Sequence, residues 1–223
     1  MCGYYGFLVG EWQSRTAEML AVNDIPVERH YTRRVNNGLV RERTGKREVV
    51  SAFWWYQLSL KRVPEQFTPE YTLTTFNARD LASPFWRAAL ASRRCILPAS
   101  EIGESEGKKR FLMQADEPIY LAGLYKDWQN PDGSTTTSYA VITRPPHDRF
   151  SQYHSKSIPL MLPQDREILD AWLKPEALPQ DMARDLLEDA AIRANLSVTE
   201  VKTYARGEPL GPQEQLLRDH CKV

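Results

Sequence analysis

The four residues Asn130-Pro131-Asp132-Gly133 stand between two runs that read as strands, residues 118–124 and 136–143. Proline pre-sets φ, aspartate folds its side chain back on the local backbone, and glycine accepts positive φ, so the four together reverse the chain. A reversal between two strand-like runs makes a hairpin and therefore an antiparallel pair. Further strand-like runs lie at 5–9 (YGFLV), 48–60 (EVVSAFWWYQLSL), 94–99 (RCILPA), 110–114 and 197–204. Residues 13–21 have a weak helical period. Residues 81–91 fit a short helix with Ser83 as N-cap and Pro84 at its first position. Helices also fit 164–173 and 178–193, where Met182, Leu186, Leu187 and Ala190 recur at helical spacing. Strands dominate the middle and helices the ends, which predicts an α+β fold on a mainly antiparallel sheet.

Composition narrows the class. At 223 residues the chain is long enough to bury a core as one compact domain spanning 1–223. Lys plus Arg and Asp plus Glu are both 29, so the net charge is zero and the chain cannot coat nucleic acid by bulk charge. A local basic groove remains open, because Arg29, Arg33, Arg34, Arg41, Arg43, Lys46 and Arg47 crowd one stretch against the single acid Glu42. Three scattered cysteines, Cys2, Cys95 and Cys221, give neither a disulfide framework nor a CxxC zinc pair. No apolar run approaches the ~20 residues that span a bilayer, and MCGYYGFLVGEW lacks a basic region followed by an apolar one. The expectation is a soluble cytoplasmic protein that needs no cofactor, metal, membrane or obligate protein partner.

Cys2 carries the most chemistry per residue. Once Met1 is removed it presents an α-amine and a thiol two carbons apart, with reference pKa values of about 7.7–8 and about 8.5. Both are partly nucleophilic near neutral pH. A 1,2-aminothiol condenses with an aldehyde to an imine, and the thiol then closes a five-membered thiazolidine. Alternatively the thiolate attacks a carbonyl with the amine as base. The structural reading of the same residue is a small buried hydrophobe.

A nucleophile needs a proton handler and an orienting group. Of His30, His147, His154 and His220, His154 precedes a polar stretch that runs into the apolar Ile158–Leu162 segment, as a loop entering a buried strand does. Asn77 and Arg79 lie two apart and share a face on an extended chain; an amide can hold an amine or oxyanion, and a guanidinium a phosphate. Glu101 and Glu104 follow the apolar Cys95–Ala99 run and are either acids of raised pKa or surface carboxylates in a loop. In the row Trp54-Trp55-Tyr56, a strand sends Trp54 and Tyr56 to one face and Trp55 to the other. One face is expected in the core and the other as a platform for stacking bases beside a basic groove.

Read together, Met1-Cys2-Gly3, Phe76-Asn77-Ala78-Arg79, the Arg94–Ala99 run with Glu104, Ala122–Tyr125 with Trp128, Tyr139–Thr143, and His154 with Ile158–Leu162 resemble the SRAP family (SOS response-associated peptidase, abasic-site processing). The resemblance implies a barrel-like core of mainly antiparallel strands with peripheral helices. It implies a thiol peptidase-like maturation that frees Cys2, by self-processing or by a host aminopeptidase. It further implies a covalent thiazolidine crosslink between Cys2 and abasic sites in single-stranded DNA, in the response to DNA damage. Carried over by position, Cys2 is the nucleophile, Asn77 bonds near its amine and the sugar, Glu104 assists proton transfer, His154 positions or protonates the sugar oxygen, and Arg79 holds phosphate. The chain departs from the family at Tyr4, where an arginine is usual. It departs again at 101–105, which lacks the usual aromatics. After His154 the spacing is one residue longer, and Lys156 stands as a point cation without an arginine fork.

Two other classes open on similar features. An N-terminal-nucleophile glutamine amidotransferase also begins Met-Cys-Gly, and it needs an Asn-Gly oxyanion pair, for which Asn37-Gly38 is the one candidate. A non-catalytic module for single-stranded DNA would leave Cys2 inert.

Overall fold

The computed structural model describes residues 3–188 and 190–219. Its first elements are β1 (Tyr4–Phe7) and α1 (Gln13–Leu20). The basic stretch then folds as β2 (Glu28–Tyr31), β3 (Val35–Arg43) and β4 (Lys46–Phe53). β5 (Leu58–Leu60) and β6 (Phe67–Pro69) pair only with each other, and β7 (Asn77–Ala78) precedes α2 (Pro84–Ser92). Three long strands follow, β8 (Arg94–Glu106), β9 (Lys109–Gln129) and β10 (Thr135–Arg144). The chain closes with β11 (Ile158–Pro159), β12 (Met161–Leu162), α3 (Arg166–Leu173), α4 (Gln180–Glu188), β13 (Leu196–Val201) and β14 (Pro209–Leu216).

Hydrogen bonding runs round a ring, β9–β10–β4–β3–β8 and back to β9. β1 and β2 extend the ring from β8, and β13 and β14 extend it from β9. β10 is parallel to β4 and to β7, and the other pairings are antiparallel. The two-residue side-chain period of the strands sorts the apolar residues into two layers. Cys95, Leu97, Ala99, Leu121, Tyr139 and Val141 belong to the cluster that also holds Tyr5 and Trp54. Their neighbours Ile96, Ala122, Leu124, Ala140 and Ile142 turn the other way, onto α1, α3 and α4 through Leu20, Leu169, Trp172 and Leu186. Arg94 ties the helices to this layer. It is buried, and its guanidinium donates to the carbonyls of Trp172 (2.8 Å), Leu90 and Ala91 (both 2.7 Å) near the ends of α3 and α2. Burial pulls its pKa down to about 10.

Several elements differ from the sequence expectation for identifiable reasons. The expected strand 48–60 stops at Phe53, because Trp54 N–H turns to the Arg34 carbonyl and Tyr56 N–H to Thr75. The runs 110–114 and 118–124 form one strand, β9, which changes partner along its length. β13 covers 111–115, and β10 and β12 take over beyond Tyr120. The helix expected over 178–193 ends at Glu188. The basic stretch is largely an internally paired hairpin, closed by Thr44 and Gly45 at φ 52° and 74°. Arg41 is buried, with Nη1 2.6 Å from Asp127 and Nε 2.8 Å from Glu48. Arg47 pairs with Asp170 at 2.8 Å. No helix among the described residues is long and apolar enough to cross a membrane.

Gly123 shows how tight the ring is. A Cβ there would lie 2.7 Å from Cys95 Sγ and 3.1 Å from the Ala140 carbonyl oxygen. Gly123→Ala is therefore expected to lower unfolding stability by about 1–3 kcal/mol through overpacking, measured by urea denaturation; a variant as stable as the parent would contradict this packing.

Candidate active site

The site is assembled where β1 meets the end of β8. The register Tyr4↔Gly103, Tyr5↔Ile102, Gly6↔Glu101 brings the start of β1 beside Gly103, one residue from Glu104. The Gly3 carbonyl accepts from Thr32 N–H at 3.5 Å, which ties the entering chain to the turn after β2. Cys2, the expected nucleophile, lies outside the described residues, as do His220 and Cys221.

Glu104 and His154 are both buried, and His154 Nδ1 lies 3.9 Å from Glu104 Oε2. The ring is oriented by its Nδ1–H donating to the Ser105 carbonyl at 2.8 Å. A carbonyl only accepts, so this bond places the proton on Nδ1 and the acceptor lone pair of the neutral ring on Nε2. Burial lowers the His154 pKa below its ordinary 6.5, opposed by the Ser105 hydrogen bond and by Glu106. The ring is thus neutral at pH 7 and suited to take a proton. Its loop is fastened by Ser155, whose N–H and Oγ bond the Glu106 carboxylate at 2.7 and 3.0 Å.

Asn77 lies on β7, in register with Val141 of β10. Both polar atoms of its amide are buried and make no hydrogen bond to any described residue. A buried amide left unpaired costs about 1–3 kcal/mol, so this group carries a cost that the rest of the fold offsets. Arg79 is exposed, and its Nη2 donates to Ser157 Oγ at 3.0 Å, linking the Asn77 segment to the His154 loop. Its charge also pushes the His154 pKa down. Lys156 is exposed on the same loop, and its charge helps to hold the Glu106 carboxyl low after the Ser155 hydrogen bonds.

Other candidates lie elsewhere. Glu101 is buried and accepts from Tyr4 Oη, and burial raises its pKa. Tyr4 is itself buried, stacked on Tyr204 with ring centroids 5.0 Å apart. It fills an apolar corner and does not reach toward a phosphate as an arginine would. Trp54 and Trp55 correct the expectation of a stacking platform: both indoles are buried, with Nε1 donating to the carbonyls of Phe76 (2.9 Å) and Glu70 (2.8 Å). Neither has an open face, because large aromatic side chains gain most from burial in the core. His30 is buried on Tyr5, and His147 pairs with Asp219 at 3.3 Å. Asn37 of the Asn-Gly pair is exposed, its amide donating to Glu28 at 2.9 Å and accepting from Ser51, so it builds no oxyanion site.

Two contributors were missed by sequence reading. Tyr204 Oη donates to the Glu104 carbonyl at 2.8 Å. Gly103 makes that possible, since a Cβ there would lie 2.8 Å from the Tyr204 ring and 2.9 Å from Tyr4. A glycine inside a strand is a signal of close approach; Tyr204 carries no local signal.

The family model of the SOS response associated peptidase (SRAP) matches residues 1–205. Among characterised sequences, the abasic site processing protein YoqW of Bacillus subtilis (strain 168) is 27% identical over 126 residues, covering 53% of this chain and 55% of that protein. YoaM of the same strain, also named an abasic site processing protein, is 30% identical over 111 residues, covering 47% and 48%. The chain thus spans about half the length of the curated relatives it matches. Of solved structures, a Bordetella bronchiseptica protein aligns with a TM-score of 0.67 at 23% identity, over 91% of this chain and 100% of that one. A Bacteroides thetaiotaomicron protein aligns at 0.66 and 15%, over 95% and 97%. At such identities these two show the fold alone.

Two expectations follow from the geometry. Because the folded pKa of His154 lies below its unfolded value, the unfolded chain binds more protons, and this group's contribution to stability is present above about pH 6.5 and lost as pH falls through the folded pKa. Titrated by NMR, His154 has its midpoint below 6.5, and Glu106→Gln lowers it further; a midpoint at or above 6.5 contradicts the assignment. Asn77→Leu removes an amide that has no hydrogen-bond partner among the described residues, at similar volume, so stability in chemical denaturation stays equal or rises; a loss of about 2 kcal/mol or more means the amide has a structural partner.

Proposed function

This chain belongs to the SOS response associated peptidase family, and we propose that it senses abasic sites in single-stranded DNA and crosslinks to them covalently through Cys2 once Met1 is removed. The observation that carries the reading is the 3.9 Å approach of buried His154 to buried Glu104, one residue past the Gly103 that pairs with Tyr4 where the chain enters β1, with the Asn77 segment tied to the His154 loop through Arg79 and Ser157. Chain connectivity keeps residue 2 one peptide unit, about 3.8 Å between Cα atoms, from Gly3. The names of the curated relatives, abasic site processing proteins, agree with it.

The chemistry balances within the named groups. Hydrolysis of the Met1–Cys2 peptide gives its hydroxyl to the Met1 carboxyl and its proton to the new α-amine. An abasic deoxyribose opens to an aldehyde at C1′ when its ring oxygen gains a proton and the C1′ hydroxyl loses one. The amine adds to C1′ and water leaves as the iminium forms. The thiolate then adds to the same carbon, closing a thiazolidine with the net loss of one water. His154 Nε2 is placed to take and return protons at the sugar, with Glu104 as its buried carboxyl partner. The Asn77 amide orients the amine or sugar oxygen, and Arg79 and Lys156 hold flanking phosphates. The reading needs no cofactor, because one residue supplies both nucleophiles. It places the chain in the cytoplasm, acting alone as one domain.

The test is incubation with uracil-containing single-stranded DNA treated with uracil glycosylase, followed by a denaturing gel and intact-mass measurement. The wild type gives a heat-stable adduct of the chain lacking Met1, lighter by one water than the sum of its parts. Cys2→Ser loses the stable adduct, since a hydroxyl closes the ring poorly, and His154→Ala slows its formation by about 100-fold or more. A wild-type yield of stable adduct from Cys2→Ser overturns the mechanism.

A further inference from the structure

Beside the site lies an exposed face to which no function has been assigned. Arg33, at φ 64° in the turn that follows β2, holds its guanidinium 5.3 Å over the Trp55 ring and 5.4 Å over the Tyr71 ring. Tyr71 is 56% exposed, and its ring meets buried Trp55 edge-on at 5.3 Å. Trp55 in turn stacks at 5.4 Å on Phe76, the residue before Asn77. From the other direction, Thr32, next to Arg33, donates its N–H to the Gly3 carbonyl. The pair is thus linked to the site by two short routes, one through aromatic contacts and one through the backbone.

The charge of this face is unspent. Arg33 and the adjacent exposed Arg34 form no ion pair among the described residues. That sets them apart from Arg41 and Arg47 of the same basic stretch, which are neutralised internally. A planar cation and an aromatic ring, exposed on a rigid buried indole and without an acid partner, form a surface that takes a flat π-system carrying negative charge on its backbone. The geometry points to Arg33 and Tyr71 as the platform on which the base next to the damaged nucleotide stacks. The partner is a single strand of nucleic acid, and the inference rests on the abasic-DNA reading above. Tyr71 and Arg33 thereby take the stacking role that buried Trp54 and Trp55 cannot fill.

The experiment uses the full chain and a labelled single-stranded oligonucleotide carrying a central tetrahydrofuran, an abasic analogue without an aldehyde. Affinity is read by fluorescence anisotropy. A second oligonucleotide replaces the two flanking nucleotides with further tetrahydrofurans, removing their bases and keeping their phosphates. For the wild type, removing the flanking bases weakens binding about tenfold. Tyr71→Ala and Arg33→Ala bind the first oligonucleotide about tenfold more weakly than the wild type and gain little from the flanking bases. Tyr71→Phe, which keeps the ring, retains the dependence on them. Equal affinity and equal flank dependence in Tyr71→Ala and the wild type overturn the platform while leaving the crosslinking reading intact. A wild type that crosslinks no natural abasic strand and binds neither oligonucleotide overturns both.

Discussion

The pairing of β1 with β8 sets everything near the site. β8 is buried along most of its length, bonded along one edge to β9 and along the other to β3 and then β1. A one-residue slip of β1 would turn every side chain to the opposite face. Two glycines bar that slip by admitting specific neighbours. Gly6 faces Glu101, whose Oε1 lies 3.0 Å from where a Cβ would stand, and Gly103 admits the Tyr4–Tyr204 stack. With Tyr4 bonded to Glu101 on that side, the chain enters beside Glu104 and in no other register. The register of β1 is thus a consequence of packing around Tyr4 and Gly6.

The site itself runs against the stability of the fold. Asn77 keeps a buried amide unbonded to the described residues, and His154 is held in its neutral form by burial. Such groups persist only where the surroundings fix them. Here the surroundings are two clasps on the 145–157 loop, Ser155 on Glu106 and Arg79 on Ser157. One clasp reaches β8 and the other the segment after β7, so the loop bridges the two elements that carry Glu104 and Asn77. On the proposed reading, fixing the groups in advance leaves little reorganisation when a substrate arrives.

Local chemistry was legible in the sequence and long-range chemistry was not. The Asn130–Gly133 turn and the Ser83-Pro84 helix start are short-range signals, and both are present: Gly133 has φ 83°, and α2 opens on Pro84 with Ser83 extended before it. Glu104 and His154 were legible as candidates because each borders an apolar run, and Asn77 because it stands two residues from Arg79 on an extended segment. The choice between Glu101 and Glu104 was not, since it depends on Tyr4 and Tyr204, which approach β8 from distant parts of the chain. β3 was hidden because its arginines read as part of a basic groove, whereas Arg41 is buried against Asp127, 86 residues on. β14 was hidden for the opposite reason: exposed almost throughout and interrupted by Pro212, it shows no alternation to read.

The tryptophans show why residue type alone misplaces a binding surface. An indole buries more apolar area than nearly any other side chain, so in a chain with space for it the core outcompetes the surface. Trp54 joins Tyr5 and Tyr139 in one layer, and Asn36 donates to the Tyr139 hydroxyl at 3.0 Å, leaving that layer well supplied with hydrogen bonds. Trp55 lies under the face that carries Arg33 and Tyr71, pinned by Glu70 and Phe76. A buried ring of this kind does not touch a ligand, yet it decides where the cation and the ring above it sit. The proposed recognition surface is therefore written in smaller and more polar residues, Arg33 and Tyr71, whose positions are dictated by the aromatic beneath them.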